Sequence, residues 1–142
     1  RLGVGYLPAT AASWEAFRAE CAVVGRPDPG PHLGGDSTVT IVASDPDAMW
    51  EKIAPFALHE ANAYGAWAEA AGVDTGYHAA TDADELRASG QYEVVTPAQL
   101  LEDLAVADPF RFVLLHPMLG GIPPDLAWEQ LHLLEREVLP HL

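Results

Sequence analysis

The chain carries a single cysteine, Cys21, in 142 residues. No intrachain disulfide can form, which suits a reducing, cytoplasmic compartment. Ala22, Val23 and Val24 follow it, so a buried thiol is expected there. Basic residues are scarce as well. Seven Lys and Arg face 21 Asp and Glu, for a formal net charge of -14. Such a surface repels phosphate backbones and anionic lipid, so nucleic acid and membrane surfaces are poor partners. The same field can favour a cationic partner or simply keep the chain in solution. Serine is restricted to Ser13, Ser37, Ser44 and Ser89. Most lie beside turns and caps, and no nucleophile elbow occurs, which argues against covalent serine catalysis. No histidine or cysteine spacing fits a zinc site, so no metal is expected. Gly3 and Gly5 begin a dinucleotide-like pattern that fails at Pro8. No apolar run is long enough to span a bilayer. The opening Arg1 to Leu7 has neither an initiator methionine nor a signal-peptide core. It reads as the interior of a longer protein, or as a processed end.

What is present is apolar content, 49% of the chain, enough to build a core. Leu2 to Leu7 reads as a strand ended by Pro8, and Trp14 to Val24 as a helix after a Ser13 cap. Gly25 to Asp36 is turn material; Gly34 and Gly35 can cradle an anion or simply meet unusual dihedrals. Thr38 to Ala43 is the clearest strand. Asp45 and Pro46 then form a cap-plus-proline helix start. Met49, Ile53 and Phe56 or Ala57 mark the apolar face of that helix. Tyr64 and Trp67 continue it past a break expected near Pro55. Residues 72–91 read as an insertion with a short helix from Asp82 to Ala88, anchored by Leu86. Tyr92 to Val95 reads as a brief strand or as the lead into the next helix. That helix starts at Thr96-Pro97 and buries Leu100, Leu101 and Leu104. Phe110 to Leu115 is an apolar run suited to a strand covered on both faces. The last helix starts near Pro124 with Leu126, Leu131, Leu134 and Val138 on one broad face, and Pro140 stops it. Repeated strand-to-helix order predicts an α/β chain with a parallel sheet.

Ligands of such sheets gather beyond the carboxyl ends of the strands. His116 and the pair Gly120 and Gly121 lie in the loop after the last strand, where glycine lets backbone approach a flat cofactor. His116 can donate to a flavin or substrate oxygen, or cap the strand structurally. His59 and Glu60, adjacent on a helix, point different ways and make a poor acid–base pair. Glu51, Glu102 and Glu135 read as solvated helix-face groups. No catalytic residue is singled out.

The stretch from Asp108 through His116, Gly120 and Gly121 to Pro124, then Leu126 to Pro140, resembles the C-terminus of luciferase-like flavin-dependent monooxygenases. Arg1 to Ala9, Thr38 to Pro46 and Val94 to Pro97 look like earlier segments of the same family. The resemblance implies that residues 1–142 form the C-terminal portion of a TIM (β/α)8 barrel, incomplete in this chain. It implies an oxidoreductase working by hydride transfer or oxygen activation through FMN or a deazaflavin, with Gly120, Gly121 and His116 as cofactor-binding positions. It further implies a small-molecule substrate, and a homo-oligomer or a missing barrel half to cover the open edges. The alternative is a noncatalytic dimeric flavoprotein or an α/β scaffold.

Overall fold

A computed structural model describes residues 6, 11–30, 38–73, 75, 77–106 and 113–142. The expected strand at Leu2 to Leu7 apart from Tyr6, the glycines Gly34 and Gly35, and the first half of the run Phe110 to Leu115 lie outside the described residues. Helix α1 spans Ala11–Val23 and ends at Gly25, whose φ is 70°. Its Arg18 bridges Glu15 and Asp28, and Trp14 Nε1 donates to the Gly30 carbonyl at 3.1 Å. Cys21 is buried.

Strand β1, Val39–Val42, leads into helix α2, Pro46–Ala71. Asp45 is the cap read from the sequence: its side chain accepts from the Ala48 amide at 3.1 Å, with Pro46 in the first turn. The far end closes at Gly72, where φ is 64°. There the amides of Gly72 and Val73 return to the carbonyls of Glu69 and Ala68, satisfying the last turn. The break expected at Pro55 does not occur. An interior proline costs about 3 kcal/mol, but Ile53, Ala54 and Ala57 are all buried around it, and that burial carries the helix through.

Helix α3, Ala83–Ala88, starts on Asp82, whose carboxylate accepts from the amides of Asp84 and Glu85. Leu86 is fully buried, as its isolation in the sequence suggested. Strand β2, Tyr92–Val95, is followed by α4, Pro97–Val106. Thr96 and Gln99 cap α4 reciprocally through their side chains and amides. Strand β3 is short, Leu114–Leu115. A single tight helical turn, Leu119–Gly121, leads to α5, Pro124–Glu137. The buried face of α5 is Ala127, Gln130 and Leu133, rotated from the leucine-based face expected, and Trp128 is 57% exposed.

The three strands form a parallel sheet in the order β2-β1-β3. Val39 pairs with Tyr92 on one side and Leu114 on the other. Side chains alternate between the faces. Val39, Ile41, Ala43 and Tyr92 pack with α2, Leu86, Leu119 and Ile122. Val42 and Val95 pack with Leu100, Leu133 and Val138 from the opposite side.

This arrangement overturns the expected partial TIM barrel. A barrel wall carries helices on its outer face alone, and strand side chains fill its interior. Here helix-borne side chains cover both faces, and among the described residues the sheet ends at β2 and β3 without closing. The two cores yield a prediction. Ile53→Ala and Leu133→Ala should each lose about 2–5 kcal/mol in urea denaturation. A loss confined to Ile53→Ala would show that the second face is not a core.

Candidate functional site

Along α2 the buried positions recur at helical spacing, through Met49, Ile53, Ala57, Glu60, Ala61 and Ala68. Glu60 is the exception in chemistry: a carboxylate on an apolar stripe, with 5% exposure. A buried carboxylate is costly unless donors surround it. Three do. Tyr92 Oη donates to Oε1 at 3.1 Å, and the Gly120 amide donates to Oε2 at 2.7 Å. His116 Nδ1 lies 3.2 Å from Oε1.

The structure therefore brings two of the sequence-selected positions, His116 and Gly120, onto one group that sequence reasoning passed over. Gly121 has φ 81° and open space where a Cβ would stand. Gly120 has φ 52°, and a Cβ there would overlap the carbonyl of Phe56. Glycine at 120 thus lets the loop after β3 lie directly on α2. A signal for Glu60 existed, since it falls in register with the apolar stripe at Ile53 and Ala57. His59, its neighbour, is exposed.

Burial, then the nearby Glu60 charge, pushes the Tyr92 phenol far above its ordinary value of 10.0, and the same causes raise Tyr77. Glu60 also orients His116. Its Nδ1 faces the carboxylate, and the side chain is 37% exposed. The space His116 lines, with Thr40, Pro117 and Gln130, is only about 10 Å³. That holds about one water and no substrate. This crevice is also where a doubly wound sheet would bind ligand, because β1 and β3 feed helices on opposite faces there. Among the described residues no group of three or more potential metal ligands gathers.

The larger space lies elsewhere. A cleft of about 460 Å³ opens between the second half of α2 and the segment after it, lined by Gly65, Ala66, Glu69, Thr75, Tyr77 and His78 among others. Gln91 holds that segment: its side chain accepts from the His78 amide at 2.8 Å and donates to the His78 carbonyl at 3.0 Å. Asn62 accepts from the Ala80 amide at 2.9 Å. Gly65 permits the approach, since a Cβ would stand 2.9 Å from the Ala79 nitrogen. Tyr77 stacks on Tyr64 with centroids 4.8 Å apart. The Thr75 hydroxyl is buried and has no hydrogen-bond partner.

No family model matches the chain, and no curated protein and no solved structure matches it either. Together with the open, doubly covered sheet, this overturns the luciferase-like resemblance and the flavin-dependent oxidoreductase or monooxygenase activity it implied. The "missing barrel half" loses its premise with the barrel.

Two predictions follow from the Glu60 cluster. Gly120→Ala should cost about 2–4 kcal/mol, from a left-handed φ plus overlap with α2, whereas Gly121→Ala should cost about 1–2 kcal/mol. Urea midpoints compare them, and equal losses would refute the close approach. In alkali, the unfolded phenol ionises near its ordinary value while the folded Tyr92 resists. The stability it contributes is therefore complete below about pH 10 and lost as pH climbs beyond it. Absorbance at alkaline pH should show a late tyrosinate component that shrinks in Tyr92→Phe, leaving the contribution of Tyr77.

Proposed function

We propose that this chain is a small-molecule-binding α/β domain whose site is the cleft beside α2. The observation that carries the reading is the cleft of about 460 Å³ between the second half of α2 and the segment after it. A volume of that size is typical of ligand pockets. The lining supports it: an aromatic ring and small apolar side chains supply contact area, and a few polar groups can orient a ligand. The His116–Glu60 pair serves this reading as a clamp that fastens the loop after β3 to α2, behind the wall that carries Tyr77. Among the described residues the space that His116 lines is only about 10 Å³, which favours a binding role over acid–base catalysis.

Among the described residues no helix is long and apolar enough to cross a membrane. A cytoplasmic location is our further reading, supported by the lone buried cysteine.

Ala66 is exposed on the cleft wall. Ala66→Trp should fill the cleft while leaving the circular dichroism spectrum and urea midpoint close to those of the parent. In ligand-observed NMR with a fragment library, fragments that bind the parent should lose their signal in this variant. Undiminished binding to Ala66→Trp would place the ligands elsewhere and end the proposal.

A further inference from the structure

We infer that residues 77–80, which lie along the cleft, are a strap that opens as one unit while the sheet and α2 stay folded. The inference goes beyond the binding reading, because it concerns how the cleft opens whether or not a ligand enters it. The chain is fixed on either side of the strap. The Val73 amide returns to the Ala68 carbonyl at the end of α2. The Thr81 amide and hydroxyl donate to the Glu85 carboxylate of α3 at 2.7 and 2.6 Å. Among the described residues, no backbone-to-backbone hydrogen bond reaches residues 77–80. Side chains make the attachment instead. Gln91 accepts from the His78 amide and donates to the His78 carbonyl, and Asn62 accepts from the Ala80 amide.

Both anchors belong to the firm part of the structure. The Gln91 carbonyl accepts from the Val39 amide of β1 at 2.9 Å. Its own amide and Nε2 donate to Ser89 Oγ, both at 3.2 Å. Asn62 follows the buried Ala61 on α2. The strap, by contrast, buries little. His78 and Ala79 are exposed, Tyr77 is half-buried, and only Ala80 is buried. Ala79 meets α2 at Gly65, where the helix offers no side chain to interlock with it. A segment with little buried apolar surface and no strand pairing opens at a lower free energy than the strands do. The amides of His78 and Ala80 are two residues apart, so freeing one displaces the backbone that the other needs in place. Tyr77, His78 and Ala79 line the cleft, so release of the strap widens it. A ligand held between α2 and the strap would favour the closed form.

Native-state amide hydrogen exchange tests the strap, followed by NMR on the full chain through a series of low urea concentrations. The Ala43 amide, which donates to the Val95 carbonyl at 2.9 Å, reports opening of the sheet. The His78 and Ala80 amides should be at least about tenfold less protected than Ala43, with a much weaker urea dependence. Asn62→Ala should lower the protection of His78, to which Asn62 makes no hydrogen bond, roughly three- to tenfold. Gln91→Glu keeps an acceptor for the His78 amide and loses the donor to the His78 carbonyl. It should lower the protection of Ala80 by a similar factor. Two results overturn the inference. If His78 and Ala80 match Ala43 in protection and urea slope, their release belongs to global unfolding. If each variant affects only the residue that its side chain bonds, the strap is two independent contacts. None of these readouts involves a ligand, so the strap and the binding reading stand or fall separately.

Discussion

Helix α2 is too long for the sheet it covers, and much of the structure answers that mismatch. Its 26 residues extend roughly 39 Å at 1.5 Å per residue. The four residues of β1 extend roughly 13 Å. The first half of the helix is buried by the strands, through Met49, Ile53 and Ala57. Beyond that the apolar stripe continues with no strand left to cover it. Two other segments supply the cover. The turn at Leu119–Gly121 lies on the middle of the helix, with Leu119 and Ile122 fully buried. The stretch after Gly72 folds back along the end and is held by Gln91 and Asn62.

Glu60 stands at the handover between these covers. A leucine there would pack against the turn but could not hold its orientation. The carboxylate binds the turn by its Gly120 amide, β2 by the Tyr92 hydroxyl, and the end of β3 by His116. One buried charge thus ties together three segments far apart in sequence. The cost of burying it is offset by charge-assisted hydrogen bonds, and those bonds fix the register of the loop against the helix. Removing any one donor leaves a carboxylate oxygen short of partners in a low-dielectric setting, which is worse than never having built the cluster.

Local chemistry was legible from the residues. Asp45-Pro46, Asp82 and Thr96-Pro97 each begin a helix as read, and Leu86 anchors its short helix. Those signals act over a few residues, so sequence order carries them directly. Closure of the sheet was not legible. Alternating strand and helix is common to barrels and open sheets, and what separates them is whether the second sheet face meets helices. That depends on which way each crossover runs, a property of no single segment. Pro55 misled for a related reason: propensity argued for a break, and tertiary burial of Ile53 and Ala57 outweighed it. Glu60 could have been found by asking which position on an apolar stripe carries the wrong chemistry. The cleft could not, because Gly65, Thr75 and Gln91 share no pattern until the chain folds back on itself.

The placement of the cleft follows from the same mismatch. In doubly wound sheets the crevice between strands that feed opposite faces is the usual binding place. In this protein that crevice is closed by Thr40, Pro117 and Gln130, with room for about 10 Å³. It closes because β3 is only two residues long, so the loop after it turns down at once onto α2 instead of rising clear of the sheet. The turn that fills the usual site is thus the turn that clamps Glu60. Space opens instead where the helix overhangs, beside the small residues Gly65 and Ala66. A shorter α2 would need neither cover and would have no cleft, which makes helix length, rather than any loop motif, the feature that opens this space.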